Sequence, residues 1–302
     1  MEKQEIESYK KAGDIAKRVV AYARDFIKPG MLLIDIANKI DSKIDELGVE
    51  AAFPVNLSLN EIAAHYTPSA DDETLAEGLL KVDIGVSVNG YIADVAFSLD
   101  LTEDKRYEDM IKLNEKVLEN AISGLNSDSL EKDIGNSIYD EIEHYNRKNE
   151  TGFAIIQNLS GHSLDKDNVH AGLTISNYKN SKTAPLKDSA FAVEPFLTTG
   201  LGHVTEGKAS DIFVLQTDEL GARDRDAREL LKFIIENYKT RPFCKRWLEK
   251  KGFKKINFLL KILENQGILH NYPVLIEKSK KPVSQAEHTI LILGKDVIVT
   301  TR

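Results

Sequence analysis

The chain has a single cysteine, Cys244, among its 302 residues, which excludes an internal disulfide bond. A protein that folds without disulfides is typical of the reducing cytosol. The N-terminal segment is charged from its second residue and lacks the apolar core of a signal peptide. No apolar run reaches about 20 residues, the length that a membrane-spanning helix needs. We therefore expect a cytoplasmic protein with no membrane segment.

The chain also has no excess of positive charge, because its formal net charge is −8. This balance argues against nucleic acid as the primary partner, although it allows a local basic patch. We find no internal repeat and no low-complexity segment. A chain of this length suits one large domain, or a domain with an inserted module, and can bury a substantial core.

Helical and strand-like patterns alternate along the chain. Apolar spacing predicts helices over residues 2–28 and 33–47 and two more between 104 and 150, separated near 124–129. Strand-like apolar runs cover 153–159, 189–197 and 289–293, and the last turns at Gly294-Lys295 into another strand. This mixture predicts an α+β domain.

One region is different in character, from Arg223 to about Lys280. It reads as helical and basic, with seven Lys or Arg between 241 and 255 and the only tryptophan, Trp247. We predict an inserted helical subdomain over 223–280, within a main domain formed by 1–222 and 281–302. We interpret the basic run first as a solvated helix face and second as a contact for RNA or the ribosome.

The stretch from Leu80 to Leu99 contains Asn89-Gly90, the strongest short hairpin signal, because a type I′ turn needs positive φ at both central positions. This turn predicts that Gly85 pairs with Asp94 and that Asp83 projects from the same face. The two carboxylates would then be diagonal neighbours, about 7–8 Å apart at the backbone.

Two carboxylates so close on an apolar hairpin repel each other unless a cation lies between them. Gly85 has no side chain and is expected to leave the space between Asp83 and Asp94 open. This arrangement indicates a metal site. The alternative, equally weighted from the hairpin alone, is that both aspartates lie on the solvated face of an edge hairpin.

Four further positions are candidates for chemistry: His65, His162, Glu194 and Glu287. A lone residue of this kind is more often structural than a ligand. However, both glutamates adjoin apolar runs where an unpaired carboxylate would be costly. Two Asp, one His and two Glu make a hard donor set that suits a pair of Mn, Fe, Co or Zn ions. Such ions polarise carbonyls and activate water, which is hydrolytic chemistry.

The chain also resembles a known family, the type 2 methionine aminopeptidases of the short archaeal kind, which belong to metallopeptidase family M24. The matching motifs are FPVNLSLNEIAAHYTP, KVDIGVSVNGYIADVAFS, NLSGH, VHAG, FAVEPF and QAEHTI. Their order and spacing agree with the family over essentially the whole chain. The resemblance implies a pita-bread fold, a curved antiparallel sheet backed by helices, with an inserted helical subdomain and a dinuclear metal site at its centre.

The resemblance also implies roles for ten residues. It implies two divalent ions, Co, Mn, Fe, Ni or Zn, on Asp83, Asp94, His162, Glu194 and Glu287, with Asp94 and Glu287 as bridges. His65 and His170 are expected beside the substrate and, with Glu194, in catalysis. The pocket for the methionine side chain is expected to use Phe53, Tyr272 and Leu275.

The function implied by the resemblance is removal of the initiator methionine from nascent polypeptides when the next residue is small. We expect a monomer, with a weak ribosome contact through the basic insertion. A proline-specific peptidase of the same fold is an alternative, against which the long insertion and the AAHYTP motif argue. A non-catalytic protein that binds protein or RNA partners is another, but such relatives lose metal ligands and this chain retains all five.

Overall fold

The computed structural model describes residues 1–219 and 221–302. The helices are α1 (Lys3–Phe26), α2 (Leu33–Glu46), α3 (Glu108–Ser123), α4 (Glu131–Asn149), α5 (Arg225–Asn237), α6 (Lys245–Lys250) and α7 (Ile256–Asn265). The strands are β1 (Glu50–Ala51), β2 (Asn56–Leu59), β3 (Ile62–Ala64), β4 (Leu79–Val88), β5 (Tyr91–Asp100), β6 (Ala154–Ile155), β7 (Ser160–Leu164), β8 (Thr174–Ser176), β9 (Ser189–Val193), β10 (Phe196–Thr198), β11 (Val204–Leu215), β12 (Phe243–Cys244), β13 (Leu269–Glu277), β14 (Val283–Gln285), β15 (His288–Leu293) and β16 (Asp296–Val299). The predicted α+β class is confirmed.

Within the described chain the strands form four sheets, and their pairings are antiparallel. The first has the order β1-β4-β2, with β5 also paired to β4, and the second has the order β14-β10-β6. The third has the order β12-β11-β13-β3, and the fourth β16-β15-β9-β7-β8. In the third sheet β13 pairs with β3, so residues from both halves of the chain meet there.

Helices cover the sheets from outside because their apolar faces need a partner. One buried cluster joins α1 and α2 to β4 and β5, through residues such as Val19, Ile36 and Val82. A second cluster joins α3 and α4 to β9 and β15, through residues such as Val117 and Ile290. The four predicted helices before residue 150 are confirmed. Among the described residues no helix is both long and apolar enough to span a bilayer.

The predicted hairpin register is confirmed. Gly85 pairs with Asp94, and the turn residues Asn89 and Gly90 have φ values of 54° and 89°. The hairpin belongs to a larger sheet, in which β4 also pairs with β1 and β2 on its other side. Asp94 is only 3% exposed. The alternative of a solvated edge hairpin is therefore wrong.

The predicted strand over 189–197 is interrupted at Glu194-Pro195, where β9 ends and β10 begins. Proline lacks the N–H that a strand ladder needs, so the pairing partner changes at this point. The fourth sheet includes β9, whereas β10 belongs to the second. Glu194 thus lies at the junction between two sheets. The run predicted over 153–159 is also shorter than expected, since only Ala154–Ile155 is a strand.

The helical prediction over 223–280 is wrong for its last part. Helices α5, α6 and α7 share a buried cluster, which includes Leu230, Leu248 and Leu260, with residues of β11, β12 and β13. However, Leu269–Glu277 is a strand that pairs with β11 and β3. Apolar runs that are buried on a sheet resemble helical segments in sequence, and long-range pairing decides between them.

The basic run is a solvated face only in part. Lys250, Lys251, Lys254 and Lys255 are exposed, but Arg241 and Arg246 are buried. Arg246 Nη2 donates to Asp41 Oδ2 at 3.0 Å. The same oxygen accepts from Trp247 Nε1 at 2.9 Å. Helix α6 is therefore attached to α2 through a buried charge pair, which a local reading of the sequence does not detect.

Candidate metal and peptide site

All ten predicted site residues line one cavity of about 370 Å³. They are Phe53, His65, Asp83, Asp94, His162, His170, Glu194, Tyr272, Leu275 and Glu287. The cavity lies where the sheets meet: the aspartates come from β4 and β5, and His162 comes from β7. Glu194 follows β9 and Glu287 precedes β15, while Tyr272 and Leu275 lie on β13.

The five acidic and histidine residues converge at one end of this cavity. Ligand atoms of Asp94, His162 and Glu287 lie within 4.8 Å of one another. His162 Nε2 lies 3.8 Å from Asp94 Oδ2 and 3.5 Å from Glu194 Oε1. Gln285 Nε2 lies between Asp83 Oδ2, at 3.5 Å, and Glu194 Oε2, at 3.4 Å. The structure thus brings together residues separated by some 200 positions.

Hydrogen bonds between β5 and residues 287–289 bring Glu287 close to Asp94. Thr289 Oγ1 accepts from the Asp94 amide at 2.7 Å and donates to the Asp94 carbonyl at 2.8 Å. The Glu287 amide donates to the Ala96 carbonyl at 3.0 Å. Sequence reasoning missed Thr289 and Gln285. The one sequence feature that points to these two residues is that each lies two positions from Glu287 within the QAEHTI motif.

The electrostatics of the cluster are those of a donor set that needs a cation. Burial raises the pKa of Asp83 from its ordinary 3.8 to about 7. Burial, followed by repulsion from neighbouring carboxylates, raises the pKa of Asp94, Glu194 and Glu287 well above ordinary values. Among the described residues, Asp83 Oδ1, Asp94 Oδ1 and Glu287 Oε2 are buried oxygens without a hydrogen-bond donor.

A divalent cation removes both problems, because it neutralises the repulsion and supplies a partner for the free oxygens. Burial also lowers the pKa of His162 to about 3, which keeps its imidazole neutral and able to bind a metal. The residues present therefore fit divalent metal binding.

A pH-dependent stability is expected for the metal-free protein. Carboxyl groups whose pKa is raised on folding bind more protons folded than unfolded, so their contribution to stability falls as pH rises. Buried histidines such as His162 act in the opposite direction, but only below about pH 6.5, where the unfolded residue protonates. Between about pH 6.5 and pH 8 the carboxyl groups therefore dominate the change in stability. The Tm of the metal-free protein should fall as the pH rises through this range.

Differential scanning calorimetry with and without Mn²⁺ measures this effect. Added metal should raise the Tm, and the increase should be larger at about pH 8 than at about pH 6.5, since binding displaces protons. A metal-independent Tm at both pH values would contradict the assignment of the cluster as a metal site.

Aromatic and apolar side chains form another part of the cavity lining. Phe53 packs directly on Gly85, where an added Cβ would lie 2.3 Å from the Phe53 ring. The expectation that Gly85 leaves open space between the aspartates is therefore wrong, because its missing side chain accommodates Phe53. Leu275 and Tyr272 on β13 complete this wall with Phe196 and Ile212. An apolar side chain bound here would lie beside the acidic cluster.

Two further histidines, His65 and His170, line the cavity. The His65 ring contacts Tyr272 edge-on at 5.0 Å between centroids, and the His170 ring lies 4.5 Å from that of His162. His65 follows β3 in a left-handed conformation, with φ of 63°. Its Nδ1 lies 3.2 Å from the Pro273 carbonyl, which can only accept, so Nδ1 carries the proton. Burial lowers the pKa of His65 to about 4, so Nε2 retains a free lone pair at neutral pH.

Comparison with known proteins gives sequence relatives over nearly the whole chain. Methionine aminopeptidase of Pyrococcus abyssi is 43% identical over 295 residues, covering 96% of this chain and 97% of the relative. Methionine aminopeptidase 2 of Candida albicans is 34% identical over 301 residues, covering 95% of this chain and 68% of the relative.

Solved structures share the fold at lower identity. A thermophilic Arx1 superposes with a TM-score of 0.83 at 17% identity, covering 99% of this chain and 91% of its own. Methionine aminopeptidase of Thermotoga maritima superposes with a TM-score of 0.70 at 20% identity, covering 100% of this chain and 98% of its own. The predicted pita-bread fold is confirmed. Residues 7–223 match the model of metallopeptidase family M24, and the chain belongs to that family.

Proposed function

We propose that this protein is a metal-dependent methionine aminopeptidase that removes the initiator methionine from nascent polypeptides when the second residue is small. The observation that carries the proposal is the single cavity in which a buried carboxylate and histidine cluster adjoins an apolar pocket. The relatives named methionine aminopeptidase support it.

The proposed metal ligands are Asp83, Asp94, His162, Glu194 and Glu287, for two ions of the Co, Mn, Fe, Ni or Zn group. Asp94 and Glu287 are proposed as bridges because each lies near other members of the cluster. Bound divalent ions polarise a carbonyl and lower the pKa of water. One oxygen each of Asp83, Asp94 and Glu287 lacks a hydrogen-bond donor, and these oxygens are proposed to bind the ions.

The apolar wall of Phe53, Tyr272 and Leu275 is proposed to hold the methionine side chain, which places the scissile carbonyl beside the acidic cluster. His65 presents an unprotonated Nε2, so it would accept a hydrogen bond from a substrate N–H. Stabilisation of a developing oxyanion, which needs a donor, is then assigned to His170. Gln285 would hold Asp83 and Glu194 at their mutual spacing through its amide.

Metal analysis combined with peptide hydrolysis tests the proposal. Metal-loaded protein should cleave Met-Ala-Ser, with much slower cleavage of Met-Trp-Ser and none of Ala-Pro. Cleavage of Ala-Pro in place of Met-Ala-Ser would indicate a proline-specific peptidase. Absence of both metal binding and cleavage would indicate a non-catalytic binding protein.

The proposal includes a cytoplasmic monomer that contacts the ribosome weakly. The surface available for this contact is formed by Lys250, Lys251, Lys254 and Lys255, near Phe258, which is 61% exposed. A contact of this kind is screened by salt. Co-sedimentation with ribosomes should therefore be lost at high salt and in a variant with these four lysines replaced by serine.

His65→Ala should lower turnover of Met-Ala-Ser by about 10²-fold or more, because a positioned partner of the substrate is removed. Metal content should stay at the wild-type level, since His65 is placed outside the ligand set. His270→Ala is a matched control, because His270 also contacts the Tyr272 ring, at 5.2 Å, but lies outside the cavity. The control should retain normal turnover.

A reactive epoxide carried by an apolar ligand provides a second measurement. The neutral Nε2 of His65 is a good nucleophile, so mass spectrometry should place the adduct on His65. An adduct on His170 or His162 would contradict this assignment. A His65→Ala protein with reduced metal content would show that His65 is a ligand.

A further inference from the structure

A short corner between α5 and β12, residues 239–242, contacts two segments that lead into residues of the cavity lining, the β7–β8 loop and β1. Lys239 Nζ lies 2.6 Å from Asp167 Oδ2, and Thr240 Oγ1 donates to the Asp167 carbonyl. Arg241 Nε lies 3.5 Å from Asp167 Oδ1. Pro242 itself lines the cavity. The insertion thus approaches the site at one carboxylate, Asp167.

Asp167 belongs to the loop between β7 and β8, which carries His170. Its amide donates to the Gly90 carbonyl at 2.8 Å, so the loop is fixed to the turn of the β4-β5 hairpin. The Asp167 side chain is 12% exposed, and its ionic partners belong to the corner. Farther along the loop, the His170 amide donates to Asn168 Oδ1 at 3.2 Å. Asp167 and His170 thus belong to one loop segment, three residues apart.

Arg241 connects the same corner to β1, the strand that precedes Phe53. Its Nη1 donates to the Ala51 carbonyl at 3.2 Å, and its Nη2 lies 2.7 Å from Glu50 Oε2. Both partners belong to β1, two and three residues before Phe53. The Arg241 side chain is only 3% exposed. One guanidinium thus links the segment of Phe53 to the loop of His170.

We propose that Asp167 is a positioning residue for His170, held in place by Lys239 and Arg241 of the insertion. This inference rests on the proposed function, in which His170 faces the substrate. A buried charge pair contributes little net stability but holds a specific geometry. Displacement of a catalytic group by about 1 Å can cost about 10²-fold in rate. The helical insertion, outside the acidic cluster, then contributes to turnover through this contact.

Asp167→Asn tests the inference, because it removes the charge and keeps the backbone bonds to Thr240 and Gly90. We expect kcat for Met-Ala-Ser to fall about tenfold, with KM within about twofold and metal content unchanged. In a His170→Ala background, Asp167→Asn should add no further loss. A full additional loss in that background would overturn the inference, because Asp167 would then act independently of His170.

Lys239→Met and Lys182→Met form a matched pair. Lys239 is 51% exposed and contacts Asp167, which is 12% exposed, whereas Lys182 is 43% exposed and lies 2.7 Å from Glu131, which is 4% exposed. In each variant a buried carboxylate loses its contact with a half-exposed lysine, so the Tm of the two variants should fall by a similar amount. We expect only Lys239→Met to lower kcat. Equal effects of the two variants on kcat would overturn the inference.

Amide hydrogen exchange in the metal-free protein separates this inference from the proposed function. Exchange of residues 165–171 should increase in Lys239→Met and stay at the wild-type level in Lys182→Met. Unchanged exchange in Lys239→Met would overturn the inference even if the wild type is active. A wild type without turnover would instead overturn the proposed function, while the exchange result would still report how the loop is held.

Discussion

Asp94→Ala should reduce turnover of Met-Ala-Ser by at least about 10³-fold, because a metal site that loses a shared carboxylate forfeits several kcal/mol of catalysis. Asp94 is 3% exposed and lies within 4.8 Å of ligand atoms of His162 and Glu287. Its removal leaves the two proposed cations with only one proposed bridging carboxylate, Glu287, so bound metal should fall together with turnover. Plasma emission spectroscopy and peptide hydrolysis on the same sample measure both quantities.

Asp100→Asn is the control for this variant. Asp100 ends the same strand, β5, and its carboxylate accepts from the Thr102 and Tyr107 amides, at 2.9 Å and 2.6 Å. It lies outside the cavity, so its replacement should lower the Tm while metal content and turnover stay normal. Near-normal metal content and rate in Asp94→Ala would contradict the assignment of Asp94 as a bridge.

The hairpin could be predicted because its determinants are local. Asn89-Gly90 favours a type I′ turn, and two-residue turns leave one register between the strands. The pairing of Gly85 with Asp94 follows directly from that register and is observed. The reading of Gly85 failed because the group that fills the space, Phe53, lies 32 residues away in sequence. A sequence identifies where a side chain is missing more readily than what replaces it.

The insertion illustrates the limit of local patterns. Leu269–Glu277 is a strand because β11 and β3 offer backbone partners on both sides, and neither partner is visible in the segment itself. Arg246 is buried because Asp41, 205 residues away, accepts a hydrogen bond from its guanidinium. Apolar and basic residues at these positions are compatible with an exposed helix until the tertiary partners are known.

The candidate site could be predicted from the sequence only in part. Sequence chemistry combined two Asp, one His and two Glu into one donor set, and the family resemblance added His170 and the pocket residues and gave each residue a role. The structure places all ten in one cavity. Thr289 and Gln285 were missed because a hydroxyl and an amide carry no metal signature, although both hold members of the cluster in place.

Glu194→Gln should reduce kcat by about 10²–10⁴-fold and change KM by less than about threefold, the expected pattern for loss of a proton carrier. Glutamine has the shape of glutamate but neither its charge nor its capacity to take and return a proton. In the metal-free protein, burial and neighbouring carboxylates raise the pKa of Glu194. Its position at the junction of β9 and β10, 3.5 Å from His162 Nε2, places it within the proposed metal cluster.

Because Glu194 is also proposed as a metal ligand, two comparisons are needed to isolate proton transfer. Glu287→Gln removes charge from a proposed bridge and should lose metal and turnover together, whereas Glu194→Gln should lose far more turnover than metal. Glu131→Gln changes a buried glutamate outside the cavity, 3% exposed, and should retain full turnover. If Glu194→Gln loses metal in proportion to its loss of kcat, ligation alone explains the effect and the proton-carrier role is wrong. An equal loss in kcat and in peptide affinity would contradict that role as well.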